Sequence, residues 1–289
     1  MKFRPVILFP IALVLVALIY AFGETRIKPD AKANAGMRPP MAGMTSHRGT
    51  ETEESLKHVL GKATETLEPK QADTVRTLTQ QAEAITGPAK ADAYKKLAGY
   101  WLRTGNYITA GYYHSLAADA NPTDTEERQL AARMLAMGIN GAGDTTARMF
   151  AADRAIHQYE ELIKVDTANT QAKVELALVY IEGLNDVMTG VLKLKDVEKI
   201  DPNNETMNLT LGRLAVVSGQ FDKAIPRLEK LIKQHPDNAE AYVHLAEAYR
   251  ATGQKDKALA ELEACKRVVK DSPEAVKQVQ QIITSIKNS

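Results

Sequence analysis

Six histidines, one cysteine and two stretches rich in glycine or methionine are the residues of this chain best suited to chemistry. A metal site or a general acid–base pair needs such side chains to converge. The histidines are scattered through His47, His58, His114, His157, His235 and His244, and no two have the His-x-x-x-His spacing. They read as surface or groove histidines. Cys265 is the only cysteine, which excludes an intramolecular disulfide and any multi-cysteine metal centre. Gly138-Ile139-Asn140-Gly141-Ala142-Gly143 has the glycine content of a phosphate-binding loop but lacks the Gly-Lys-Ser/Thr ending, so it is expected to be an insertion loop after a helix. Met37, Met41 and Met44 could supply soft-metal ligands, yet they lie among residues typical of a linker. Asn204-Glu205-Thr206 and Asn208-Leu209-Thr210 match a glycosylation acceptor but fall in or beside an expected packed helix. No catalytic arrangement emerges. The chain reads as a non-enzyme without cofactor, metal or small-molecule substrate.

The elements that would position a site are set by a repeat. Gly219 and Gly253, Ala224 and Ala258, Leu211 and Leu245, and Pro202 and Pro236 are each 34 residues apart. A fixed period of this size marks stacked helix pairs, each too small to bury its own apolar face. The chain has 289 residues, with 37 basic against 36 acidic and a net charge of +1. That balance argues against nucleic acid as a partner. A solenoid grows by adding units, so the length sets no domain count.

The N-terminus carries a second signal. Lys2 and Arg4 precede an uncharged run from Val6 to Gly23. Residues 6–22 would form a helix of about 25 Å, near the lower limit for crossing a bilayer. An uncleaved single-pass anchor over residues 1–23 is the expected reading. A cleaved signal peptide remains its alternative, because Ala21-Phe22-Gly23 has small residues at the required spacing. Arg26, Lys28 and Lys32 after the run nearly balance the basic residues before it. The short basic leader places the N-terminus inside and the bulk of the chain in the periplasm or another extracytoplasmic space. Residues 24–50, broken by Pro29, Pro39, Pro40, Gly36, Gly43 and Gly49, form a tether.

Helical periodicity starts near Thr52. Leu56, Val59 and Leu60 open one amphipathic helix, and Ala72, Val75, Leu78, Ala82 and Ile85 line a second. These two, over residues 51–90, read as a divergent N-terminal cap. From Ala91 the first unit carries Tyr94, Leu97, Ala98, Trp101, Gly105, Tyr107, Ala110, Ala117 and Pro122. Units four and five repeat the pattern with Leu211, Gly212, Gly219, Phe221 and Ala224, then Leu245, Ala246, Gly253, Ala258 and Leu262. Through these residues the chain resembles the tetratricopeptide repeat family. The resemblance implies an all-α, right-handed α-solenoid of about five helix pairs over residues 91–272: 91–124, 125–170 with an insertion, 171–204, 205–238 and 239–272. A capping helix over 273–289, with Val276, Val279, Ile282, Ile283 and Ile286 on one face, completes it. The glycine near the A–B turn is expected to be left-handed, and Pro226 to fall near the first turn of its helix, where a missing N–H costs little.

The resemblance also implies a concave groove lined by the first helix (A) of each pair. Its candidate residues are Lys95, Leu102 and Arg103; Gln129, Arg133 and Met137; Glu175 and Val179; Leu209, Arg213 and Val216; and Val243, Glu247 and Arg250. Mixed apolar and charged lining suits an extended or helical peptide, with the arginines orienting an acidic or carboxylate-bearing segment. The lysine–asparagine arrangement of chaperone-binding members is absent, since Gly99 stands at the asparagine position. Tyr94, Trp101 and Tyr107 occupy packing positions, while Tyr100, Tyr112 and Tyr113 are candidates for a second interface. The expected function is a membrane-tethered scaffold or adaptor for a protein or peptide partner. An assembly factor of the type that serves cytochrome c maturation or another periplasmic complex is a narrower alternative. A cytosol-facing, N-anchored receptor of the mitochondrial import type is the topological opposite.

Overall fold

The computed structural model describes residues 52–87 and 89–288. The candidate anchor, the tether, His47 and the three N-terminal methionines lie outside them. Among the described residues every regular element is helical. Those up to Pro202 form one compact unit and those from Asn203 onward a second.

The first unit opens with α1 (Glu53–Glu65), whose N-cap Thr52 forms a capping box with Ser55. Proline at the first position starts α2 (Pro69–Ala84). Three pairs follow: α3 (Ala89–Arg103) with α4 (Tyr107–Ala120), α5 (Thr125–Asn140) with α6 (Thr145–Val165), and α7 (Thr170–Leu178) with α8 (Val187–Ile200). The two N-terminal helices do not cap the array side by side. Helix α2 packs on α3, whereas α1 lies across α4 and α6, the second (B) helices of two successive pairs. Leu56 and Val59 join Ile108 and Phe150 in one apolar cluster, and His58 Nε2 lies 2.8 Å from Asp144 Oδ2 at the N-terminus of α6. Asp144 is itself the N-cap, so one carboxylate both starts α6 and pins α1.

The glycine-rich stretch is half helix and half turn. Gly138, Ile139 and Asn140 complete α5, and Gly138 is buried where a Cβ would come 2.5 Å from Ile108 Cγ1. The extra residues lengthen α5 and α6 to 16 and 21 residues and leave a short turn between them. Helix α7 ends in a π turn, Val179–Gly183, in which the Leu184 N–H donates to the Val179 carbonyl at 3.1 Å.

The second unit contains α9 (Glu205–Val217) with α10 (Phe221–Gln234), α11 (Ala239–Ala251) with α12 (Lys255–Val268), and the closing helix α13 (Pro273–Asn288). Val279, Ile283 and Ile286 of α13 seal a core containing Leu228, Leu245 and Leu262. The A–B turns use positive φ as expected, 79° at Gly105, 72° at Gly219 and 77° at Gly253. In the third pair Asn185 takes that place at φ 54°. Pro226 departs from expectation. It lies in the second turn of α10 rather than the first, and the carbonyl its N–H would have served is that of Asp222, an exposed residue.

Candidate functional site

Helices α5 and α7 present their outer faces to a common cleft of about 340 Å3 in the first unit. Arg133, Ala136 and Met137 come from α5, at the i, i+3, i+4 spacing that puts side chains on one helix face. Glu175 and Leu178 come from α7, and Val179, Glu182 and Gly183 from its π turn. The π turn packs against α5. Gly183 permits the approach, since a Cβ there would sit 3.0 Å from Ile139 Cδ1. Tyr159 of α6 forms the floor and is 1% exposed.

The electrostatics centre on one carboxylate. Arg133 grips Glu175 in a fork, with Nη2 to Oε1 at 2.7 Å and Nε to Oε1 and Oε2 at 2.9 and 3.2 Å. Gln171 Nε2 donates to Glu175 Oε1 at 2.6 Å. Burial, reinforced by the adjacent Glu175 carboxylate, pushes the Tyr159 phenol far above the usual tyrosine range. The hydrogen bond to Glu175 raises the Arg133 guanidinium further, so the arginine stays charged across ordinary pH. Met137, 56% exposed, supplies an apolar surface beside the ion pair.

Of the groove residues expected from sequence, the fold brings Arg133, Met137, Glu175 and Val179 to this cleft. Val179 contributes little surface, because it is buried in the adjoining core. Val216 and Val243 are likewise core residues of the second unit and not groove-facing contacts, a correction to their expected role. Leu209 packs half-buried against the same core. Arg213 is half-buried, and its charge adds to the His244 hydrogen bond that holds the Glu240 carboxyl below the usual range. Glu247 and Arg250 stand on α11, with Glu247 3.8 Å from His244 Nδ1. Lys95 does not stand free in the groove: it donates to Asp124 at 2.8 Å and lies 3.6 Å from Glu127. Leu102 packs half-buried on the first core, Arg103 rests over the Tyr100 ring at 5.4 Å, and Gln129 is half-buried on α5.

The tyrosines need a second correction. Tyr113 is a core residue whose phenol burial pushes up to about 12, and Tyr112 is wedged between the Tyr113 and Phe150 rings at 5.1 and 5.8 Å. Tyr113 is therefore buried, whereas Tyr112 stays half-buried. Tyr107, expected to pack, opens α4 and is 39% exposed.

A buried polar network had gone unrecognised in the sequence. Arg128, 5% exposed, donates to Asp119 Oδ1 at 3.1 Å, to Gln158 Oε1 at 2.6 Å and to the Ala118 carbonyl at 3.2 Å. Arg154 reaches the other Asp119 oxygen at 2.7 Å and Ser115 Oγ at 2.8 Å. Its sequence signal is Arg128 at the fourth position of its unit, where the first, third and fifth units place Tyr94, Val174 and Tyr242. Asn208 is also consumed internally, since it is buried and accepts from Arg227 Nη1 at 2.6 Å. A second concavity, between α12 and α13, is lined mainly by exposed polar residues such as Lys277, Gln281 and Thr284 and includes no expected groove position.

Against known proteins, residues 215–282 match the tetratricopeptide repeat family model. No curated protein matches the sequence. Among solved structures the chain is similar to MamA, at 18% identity over 64% of this chain and 94% of that one, with a TM-score of 0.48. It is also similar to a tetratricopeptide repeat protein from Parabacteroides merdae ATCC 43184, at 14% identity over 81% and 93% of the two chains and a TM-score of 0.48. YrrB, described as a TPR protein with an unusual peptide-binding site, aligns at 14% identity over 66% and 92%, with a TM-score of 0.45. Residues 215–282, from the end of α9 into α13, are therefore the part of this all-α chain identified as tetratricopeptide repeat.

Proposed function

We propose that the chain is a non-enzymatic scaffold that receives a segment of a partner protein in the α5–α7 cleft. The observation that carries this reading is the cleft itself, in which apolar surface from Ala136, Met137 and Leu178 adjoins the Arg133–Glu175 pair. Apolar contacts would supply affinity, and the fixed polar pair would set the register of an extended or helical segment. Residues 6–22 would hold the scaffold in a membrane, with the helical units outside the cytosol. Helix α1, which follows the tether, is packed on the B helices, whereas the cleft is built on the A helices of its pairs.

Two experiments test the reading. Crosslinking from a photoreactive residue at Met137 in the full chain is expected to trap a partner that the same probe at exposed Lys70 does not. Equal capture at both positions would place binding elsewhere. Carbonate washing is expected to leave the full chain in the membrane fraction. Release into the soluble fraction, or a mature N-terminus after residue 23, would defeat the anchor.

A further inference from the structure

Each charged side chain of the cleft lining is already committed within the chain. Arg133 forks onto Glu175, and the same carboxylate also meets Gln171 and Tyr159. Glu182 likewise has an internal partner. A carboxylate entering here would share the Arg133 guanidinium with Glu175, in a cleft that also holds Glu182. A cation would find both carboxylates already matched. Either would give up hydration without a counter-charge of its own, whereas an apolar side chain gives up none. The surface left to a visitor is that of Ala136, Met137 and Leu178, beside the exposed amide of Asn140. An amide both donates and accepts, which matches the N–H and C=O of a peptide backbone. An extended segment has those groups available, while the interior of a helix has bonded its own.

We propose that the docking segment is extended and uncharged where it meets the cleft: bulky apolar side chains cover Met137, Ala136 and Leu178, and the segment's backbone pairs with the Asn140 amide. This rests on the reading of the cleft as a docking site, and it replaces the acidic segment expected from the arginine positions in the sequence. At about 340 Å3 the cleft is at the small end of ligand sites, roughly 300–1,000 Å3, which limits the inserted part to a few side chains. The Arg133–Glu175 fork then acts as a fixed, internally matched wall. With no ion pair formed across the contact, salt has little to screen.

The test is selection of a random peptide library, displayed on phage, against the detergent-solubilised full chain. Binding of the enriched sequences, made as free peptides, is then measured for the wild type, Met137→Ser and Asn140→Ala at about 0.05 M and about 0.5 M salt. Both changes are at exposed positions, so circular dichroism should be unaltered. Enriched peptides should share bulky apolar residues without a shared charge, and their affinity should change by less than about twofold between the two salt concentrations. They should bind about tenfold more weakly to Met137→Ser and about fivefold more weakly to Asn140→Ala. Peptides that depend on Met137 but share a charge and weaken in salt would overturn the uncharged proposal while leaving the docking site in place. Full binding to Asn140→Ala would overturn the backbone pairing. No enrichment, or peptides indifferent to Met137, would overturn both the proposal and the docking site.

Discussion

Arg133 and Glu175 lie 42 residues apart in sequence and join α5 to α7 through a forked ion pair whose shortest contact is 2.7 Å. The two ends are not equivalent. Arg133 is about half exposed, whereas Glu175 is only 15% exposed and also meets Gln171 and Tyr159. Removing the arginine leaves a carboxylate with other partners. Removing the carboxylate leaves three donors without their acceptor.

Glu175→Ala should therefore cost about 2 kcal/mol of stability, mainly from the desolvated partners left behind. Arg133→Ala should cost no more than about 1 kcal/mol, the range of partly exposed pairs. Urea unfolding of the two variants decides the point, and equal losses would show that the fork acts as a simple surface pair.

Arg128 should be less forgiving than Arg133. Its guanidinium is buried, and Asp119, Gln158 and the Ala118 carbonyl all depend on it. Arg128→Ala is expected to destabilise the chain by about 1–3 kcal/mol, because the buried Gln158 amide oxygen and the Ala118 carbonyl lose their donor. Arg128→Met, which restores the volume and the apolar character usual at that position, should recover part of the loss. A thermal midpoint unchanged in Arg128→Ala would contradict the structural role.

The pH dependence of the second unit should carry the signature of His244. Burial disfavours its charged form, but Glu240 and Glu247 outweigh burial and raise its pKa above the ordinary histidine value. A raised folded-state pKa means that protonated His244 stabilises the fold fully below the unfolded value of about 6.5 and that this contribution is lost as pH rises through the folded value. His244 also lowers Glu240, whose own contribution is present above the unfolded carboxylate range and is lost as pH falls through its depressed value. The wild type should thus lose more stability between about pH 5.5 and pH 8.5 than His244→Gln does. Parallel curves would remove the histidine from the account.

Glycine substitutions should split by sign. A Cβ on Gly190 would lie 2.3 Å from Ile181 Cγ1 and 2.8 Å from the Ala177 carbonyl, so Gly190→Ala must push α7 and α8 apart at a cost of about 2–3 kcal/mol. Gly61, exposed within α1, has nothing within 4 Å of the same position. Gly61→Ala should stabilise by about 0.5–1 kcal/mol through helix propensity alone. Denaturant midpoints that move in the same direction for both would refute the contact analysis.

Much of the architecture was legible before any coordinates. Helix-forming spacing, the proline at the start of α2 and α13, and glycine at the A–B turns are local signals, and each constrains only its own few residues. Gly105, Gly219 and Gly253 could be assigned their left-handed turns because that requirement acts on a single backbone. The period of 34 residues added the pairing of helices, since an amphipathic helix of this length must bury its apolar stripe against a neighbour. What the sequence could not reveal depends on register between helices. Whether Val179 lines a groove or fills a core turns on a π turn a few ångströms wide, and whether Arg133 awaits a ligand turns on where α7 places Glu175. The seat of α1 on the B helices was hidden for the same reason, because Leu56 and Val59 mark an apolar face without naming the surface that covers it. Amphipathic periodicity identifies the face that must be covered; only packing in three dimensions selects its partner and determines which charges remain for another molecule.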